Sequence, residues 1–312
     1  MSSVLPSATV LIVFLAACGD DGGAADADAT GTTDTTTSDV PDTIDATDAT
    51  TPDGCGAPGG AGPRFDQPPS LFRLHVHETF SYFEGGVFTA DPMVLHGEAE
   101  RQGACRLLTY TPSLCTPECD FTEVCVAGQC RTFPEATPVG DLTLTGVAAS
   151  LVTVRPSEVG SYSWSSVVAH AVDEVALVAA GGDVGAFTLA TCAPPALVED
   201  GDWNAAFEAR ADGADVTIRW RDPTPGARFY IRMTTGIGTH GGISPVEVEC
   251  EGPDDGALTI PGAFLDALYA TGWSCGECGD NRLVRYHADE VEVGGERVQL
   301  RVQSTATFWY RP

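Results

Sequence analysis

The sequence predicts an all-β fold: an antiparallel β-sandwich or jelly roll stapled by disulfides, with one short helix and a small cysteine-rich knot. Three observations predict it. From Gly140 onward, short apolar-alternating runs recur roughly every eight to fifteen residues between Gly, Pro or Asp clusters, the rhythm of antiparallel sandwiches. A helical pattern is convincing only over Pro261 to Ala270. Finally, the chain has eleven cysteines, and ten of them follow a leader that routes the protein to an oxidising compartment.

The leader comes first. Val10 to Ala17 is an unbroken apolar run, too short to span a bilayer as a helix and of the length of an export-signal core. It closes on Leu15-Ala16-Ala17-Cys18, which resembles the lipobox of bacterial lipoproteins. The resemblance implies cleavage before Cys18, a diacylglycerol on its thiol, palmitate-type acylation and a membrane anchor. One feature departs from the pattern: Met1 to Thr9 holds no Lys or Arg. Gly19, rather than Asp, follows the cysteine, and the resemblance then implies the outer membrane, at its periplasmic face or at the cell surface.

Residues 18–54 read as the lipidated cysteine and an acidic linker. Gly19 to Gly54 is mostly Asp, Thr, Ala and Gly, with no aromatic residue, Lys, Arg or Glu. It offers nothing to a core, and its ten aspartates repel one another into an extended, solvated spacer. They lack the D-x-D-x-D-G spacing of a calcium loop.

Cys55 to Pro312 is the folded region, 258 residues carrying about −18 of the net charge of −28. So acidic a region argues against nucleic acid as a partner. All sixteen basic residues are arginine, which excludes Schiff-base lysines, a Walker-type phosphate lysine and Ser-Lys hydrolysis. Proximity in sequence pairs Cys115 with Cys125, Cys119 with Cys130 and Cys192 with Cys250, and Cys55 with Cys105 at the start of the fold.

Along this region, Leu71 to Tyr82 alternates and Gly85-Gly86 breaks it before Val87 to Thr89, which predicts strand, turn, strand. Four cysteines in C-x3-C-x5-C-x4-C spacing then occupy residues 115–130, with too few apolar residues for a core, so cross-links must hold that insert. Strand signals follow at Leu142–Leu144, Ser150–Val154, Ser161–Ser165, Val175–Val178, Ala186–Thr191, Val216–Trp220, Phe229–Met233, Val246–Cys250, Arg282–His287, Val298–Gln303 and Thr307–Tyr310. The helix at Pro261 to Ala270 has Pro in its first turn and Gly272 past its end.

The succession of the cysteine knot, GDLTLTG (140–146), GGDVGAF (181–187), CAPP (192–195), VTIRW (216–220), VEC (248–250) and DDGALTIPGAFL (254–265) resembles a family of uncharacterised secreted or lipid-anchored, cysteine-containing β-rich bacterial lipoproteins. The resemblance spans most of residues 65 to 300. It implies a fold and an address and brings no active site.

Few constellations carry chemistry. Cys275-Gly-Glu-Cys278 has redox-motif spacing, but Gly279-Asp280-Asn281 and an alternating strand follow it where a helix is needed, which favours a structural disulfide. His75 and His77, at i and i+2, share a strand face and are candidate metal ligands; a third ligand would have to come from elsewhere, His96 or Glu98, since Glu78 is on the opposite face. His170 and His240 come with no recognisable nucleophile. Tyr162 and Trp164 likewise share a face and, with Trp273, are candidate platforms for stacking on a sugar. Asp254-Asp255-Gly256 and Gly279-Asp280-Asn281 read as turns first and as candidate Ca²⁺ donors second. No cofactor beyond such a Ca²⁺ is expected. The expectation is a lipid-anchored, non-catalytic binding domain for an envelope glycan or protein; the alternative is a hydrolase of envelope polymers.

Overall fold

Val293 and Glu296 face one another across Gly294-Gly295, whose φ angles of 61° and 84° suit a tight hairpin that β-carbons would strain. That turn closes the longest hairpin of the protein. The computed structural model describes residues 63–65, 68–77, 80–89, 94–112, 114–120, 122–147, 151–166, 174–235, 243–272 and 281–308, all within the unit Thr50–Pro312.

In chain order the strands begin with β1 (Ser70–Val76), β2 (Ser81–Gly86), β3 (His96–Gln102) and β4 (Cys105–Tyr110), then β5 (Glu123–Val126) and β6 (Gln129–Thr132). Next come β7 (Leu142–Thr145), β8 (Val152–Val154), β9 (Tyr162–Ser166), β10 (Glu174–Ala179) and β11 (Phe187–Cys192). Helix α1 (Trp203–Glu208) precedes β12 (Val216–Arg219), β13 (Arg228–Thr234), β14 (Val246–Pro253) and β15 (Ala257–Ile260). Helix α2 (Gly262–Ala270) leads to the hairpin of β16 (Asn281–Val293) and β17 (Glu296–Phe308).

The fold is all-β and sandwich-like, as the strand rhythm predicts. Nine strands form one sheet in the order β3-β4-β14-β13-β16-β17-β1-β2-β9. Every neighbouring pair in it is antiparallel except β1 and β17, which run parallel. Alternation along each strand sorts the two faces. On one face Val298, Leu300 and Val302 of β17, with Phe72, Leu74 and Phe83, pack against a four-stranded sheet, β11-β10-β7-β8, through Leu142, Leu144, Leu177 and Leu189. Further along that same face, Leu283, Ile231, Met233, Val248 and Phe308 form a second core with the β12–β15 ribbon and both helices. Ile218, Leu258, Trp203, Phe207 and Phe264 close that core from above.

Several expectations are corrected. Between β1 and β2 the His77 N–H donates to the Phe80 carbonyl at 3.0 Å, and Gly85-Gly86 stays inside β2. Glycine is needed there for another reason: a β-carbon on Gly85 would lie 2.3 Å from the Leu71 carbonyl oxygen of the paired strand. Val298–Gln303 and Thr307 onward are one strand, because all thirteen residues of β17 find partners on β16. Helix α1 has no long periodic pattern to announce it, only Asp202, whose carboxylate caps the Ala205 N–H at 2.9 Å, and Trp203 with Phe207 one turn apart, both buried. Pro261 is the N-cap of α2, so the helix begins at Gly262, one residue after the expected start.

The knot is cross-linked as proximity predicts, Cys115 to Cys125 and Cys119 to Cys130, around the β5–β6 hairpin. The other pairings differ. Cys105 joins Cys250, because sheet order sets β4 beside β14 and places these two residues directly opposite, with Cα atoms 4.0 Å apart. Cys192 is disulfide-bonded to a partner outside the described residues, so it does not pair with Cys250, nor Cys55 with Cys105. Cys18, Cys55, Cys275 and Cys278 lie outside the described residues. Among the described residues no helix is long and apolar enough to cross a membrane.

Candidate functional site

The face of the nine-stranded sheet turned away from both cores is polar, and its charges follow a register rule. On β13 and β14, Arg228 stands opposite Pro253, Tyr230 opposite Glu251 and Arg232 opposite Glu249. Each side chain reaches instead to the carboxylate two residues back: Arg228 to Glu251, Tyr230 to Glu249 at 2.8 Å, Arg232 to Glu247 at 2.7 and 2.9 Å. One diagonal offset, repeated three times, is what strand twist produces. Arg106 on β4 also grips Glu249, at 2.6 and 2.9 Å. Glu251, wholly buried, accepts in addition from the Tyr286 hydroxyl at 2.8 Å and from the Arg64 backbone N–H.

This matching of Arg to Glu ends at β16. Beyond it, β17 offers Gln299, Arg301 and Gln303 to the same face, and the parallel register sets Arg301 beside Arg73 and Gln303 beside His75. A cavity of about 420 Å³ opens at this junction, lined by Arg73, Arg232, Arg282 and Arg301 together with His75, Glu84, Tyr230 and Gln303. A quarter of the arginines of the chain thus meet in one place, on an acidic protein.

Their partners are unequal. Glu84 is shared, 3.9 Å from Arg73 and 3.5 Å from His75, and Glu247 holds Arg232. Among the described residues no carboxylate lies within ion-pair distance of Arg282 or Arg301. Arg301 is only 3% exposed. Its guanidinium lies 4.0 Å from the centre of the Tyr286 ring, donates to Gln299 Oε1 at 3.0 Å, and leaves Nε with no acceptor. Burial pushes the Arg301 pKa down and pushes that of Tyr286 up to about 12.

His75 and His77 do lie together, but only His75 lines this cavity. They join a stack in which His75 covers Tyr82 at 3.9 Å and His77 covers Phe80 at 4.1 Å. Gln303 donates to Nδ1 of His75 at 3.0 Å, which leaves Nε2 to carry the proton that faces Glu84. Both histidines have partners of their own, and among the described residues no group of three ligand atoms includes them. Among the described residues the only group of three spatially matched ligand atoms is Cys115, Cys119 and Cys130, whose sulfurs are consumed in disulfides.

Burial lowers the pKa of His75, His77 and, on the core side of β16, His287. In the unfolded chain these groups protonate near their ordinary pKa of about 6.5. Between that value and the lower folded values the unfolded state binds more protons, so stability falls as the pH falls. The melting temperature is therefore expected to hold above about pH 7 and to drop toward about pH 5. Glu84, whose carboxyl is held low first by its hydrogen bond to His75, extends the loss below the ordinary carboxylate range. A melting temperature that stays flat from pH 7 to 5 in differential scanning calorimetry contradicts this.

The other expected site residues lie elsewhere. Tyr162 is 1% exposed; its hydroxyl donates to the Gly140 carbonyl and accepts from the Val139 N–H, both at 2.8 Å, and its ring meets Phe72 edge-on. Trp164 is half-buried against the same core. The face these two share is turned toward the four-stranded sheet, so Tyr162 is no sugar platform. Trp273, His170 and His240 lie outside the described residues. Asp254 is no free Ca²⁺ donor, since Arg285, Trp220 and the Thr224 N–H occupy its carboxylate. Sequence reading misses the arginines of the cavity, for no motif joins positions 73, 232, 282 and 301. Arg301 alternates with Val298, Leu300 and Val302 as Gln299 does, so nothing local distinguishes it from a solvated side chain. No known family model matches the chain, and no curated protein matches it.

Proposed function

We propose that this protein is a non-catalytic binding module of the bacterial cell envelope, anchored through a lipid on Cys18 and held off the membrane by the acidic linker to Gly54. The observation that carries the binding reading is the cavity on the polar face of the nine-stranded sheet. Its volume suits a small molecule or the end group of a polymer. Its chemistry suits binding better than hydrolysis. Among the described lining residues there is no serine or cysteine, and Glu84 is the single carboxylate, so neither a nucleophile with its base nor a paired acid and base is assembled there.

The binding reading is tested by applying the full-length protein, purified in detergent, to an array of envelope glycans and proteins with and without Ca²⁺. Saturable binding without turnover of the bound component is the expected result; cleavage of an array component overturns the non-catalytic reading, and binding to nothing overturns the module itself. The anchor is tested separately. Cys18→Ala is expected to move the protein from the membrane fraction to the soluble one, and a mature protein still in the membrane fraction overturns the lipid anchor.

A further inference from the structure

We propose that the cavity between β1, β16 and β17 is an oxyanion site, in which Arg301 and Arg282 receive the carboxylate or phosphate group of a small molecule or polymer end. The inference rests on the binding reading above and names the chemistry of the ligand.

The argument is one of unmatched charge. Elsewhere on this face buried Arg228 has Glu251, half-buried Arg106 has Glu249 and even the exposed Arg232 has Glu247. A sheet that places carboxylates this regularly would be expected to supply one for Arg301. It sets Arg73 directly beside Arg301 instead, a like-charge pair in adjacent register positions, which is an unfavourable arrangement for two neighbouring strands. A buried guanidinium without a counter-charge is costlier still. An anion from solution relieves both costs at once, and Arg is the side chain best shaped to hold one, through paired N–H donors.

The surroundings select for that ligand. Tyr286 lies beneath the Arg301 guanidinium, and its hydroxyl is committed to Glu251. Gln299 takes one N–H of Arg301, which fixes the guanidinium plane. Arg282, exposed at the cavity edge near Tyr82 and Glu84, adds a second positive charge, and among the described residues no carboxylate lies within ion-pair distance of it. Glu84 stands on the far side of Arg73 in register, already shared with His75. The cavity is much larger than one carboxylate or phosphate group needs, so the oxyanion is one end of a larger molecule, with His75 and Gln303 at the remaining wall.

Isothermal titration of the full-length protein with inorganic phosphate, D-glucuronate and neutral D-glucose tests this. Saturable one-to-one binding of phosphate or glucuronate, with none of glucose, is expected, and the better of the two tells phosphate from carboxylate. Arg301→Gln and, separately, the exposed Arg282→Gln are each expected to weaken that binding at least about tenfold, the loss that one charged hydrogen bond produces. Arg131→Gln, on the exposed strand β6, is expected to leave it unchanged. If Arg301→Gln fails to fold, Arg282→Gln decides. Equal binding by the wild type and Arg282→Gln overturns the oxyanion site, as does binding of neither anion. Array binding that survives Arg282→Gln overturns the oxyanion site and leaves the binding module standing, whereas a silent array removes both.

Discussion

The Cys105→Ala/Cys250→Ala protein is expected to lose about 5 kcal/mol of stability by the chain-entropy estimate for a loop of this length. That bridge closes a sequence separation of 145 residues, whereas Cys115–Cys125 and Cys119–Cys130 close only 10 and 11. In the unfolded chain the long cross-link forbids most of the separations that β4 and β14 could otherwise adopt. Position adds to the effect, for both half-cystines are wholly buried in the core beneath the helices, beside Val248 and Ile231. With a urea dependence of about 2–3 kcal/mol per molar, the unfolding midpoint should fall by about 2 M. The Cys115→Ala/Cys125→Ala protein provides the contrast. Its bridge holds a β5–β6 hairpin of half-buried and exposed residues outside both cores, so its loss frees the insert and leaves the main transition nearly in place. Equal midpoint shifts for the two double variants would show that loop length and core placement do not govern the stability.

The same disulfide marks where sequence reading reaches and where it stops. Strands such as Phe229 to Met233 and Leu142 to Leu144 are legible because alternation is a local property. Strand β3, His96–Gln102, is invisible to that test: six of its seven residues are exposed, so it has no apolar side to show, and only backbone pairing with β4 makes it a strand. Pairing across the sheet is not local at all. Nothing between Cys105 and Cys250 says that β14 will lie against β4, so nearness in sequence suggests the wrong partner for each. The site fails for the same reason. Arg301 sits in a strand whose alternation assigns it an outward face, and an outward arginine reads as a solvated one. It becomes a buried cation only because sheet order places Arg73 and Tyr286 beside it.

The second large effect lies in the seam between the two cores. Asp254→Asn is expected to cost about 3–5 kcal/mol, the penalty for stranding one member of a buried ion pair. Its partner is Arg285, on the core side of β16 and 0% exposed, where Leu283 belongs to one core and Val291 to the other. Arg285 Nε lies 2.8 Å from Asp254 Oδ2, off the angle of a good hydrogen bond, so this is mainly a contact of charges. Its two remaining nitrogens donate to the Ala196 and Arg221 carbonyls at 3.3 and 2.9 Å, which ties two loops to the sheet. Asp254 is anchored in turn by the Trp220 indole N–H and the Thr224 N–H. Asparagine can keep one of those acceptor roles but not the charge. Adding Arg285→Met removes the stranded cation and should recover part of the loss, less the desolvation of the two carbonyls, each about 1–3 kcal/mol when left unsatisfied. A double-mutant cycle should therefore report a coupling of at least about 2 kcal/mol. The exposed pair of Arg221 and Asp200, 3.6 Å apart and more than half exposed on both sides, sets the scale from the other end. Its coupling should stay below about 1 kcal/mol, as for surface pairs in general. If the two cycles give the same value, burial is not what makes the Asp254–Arg285 contact matter, and the seam is held by its backbone hydrogen bonds instead.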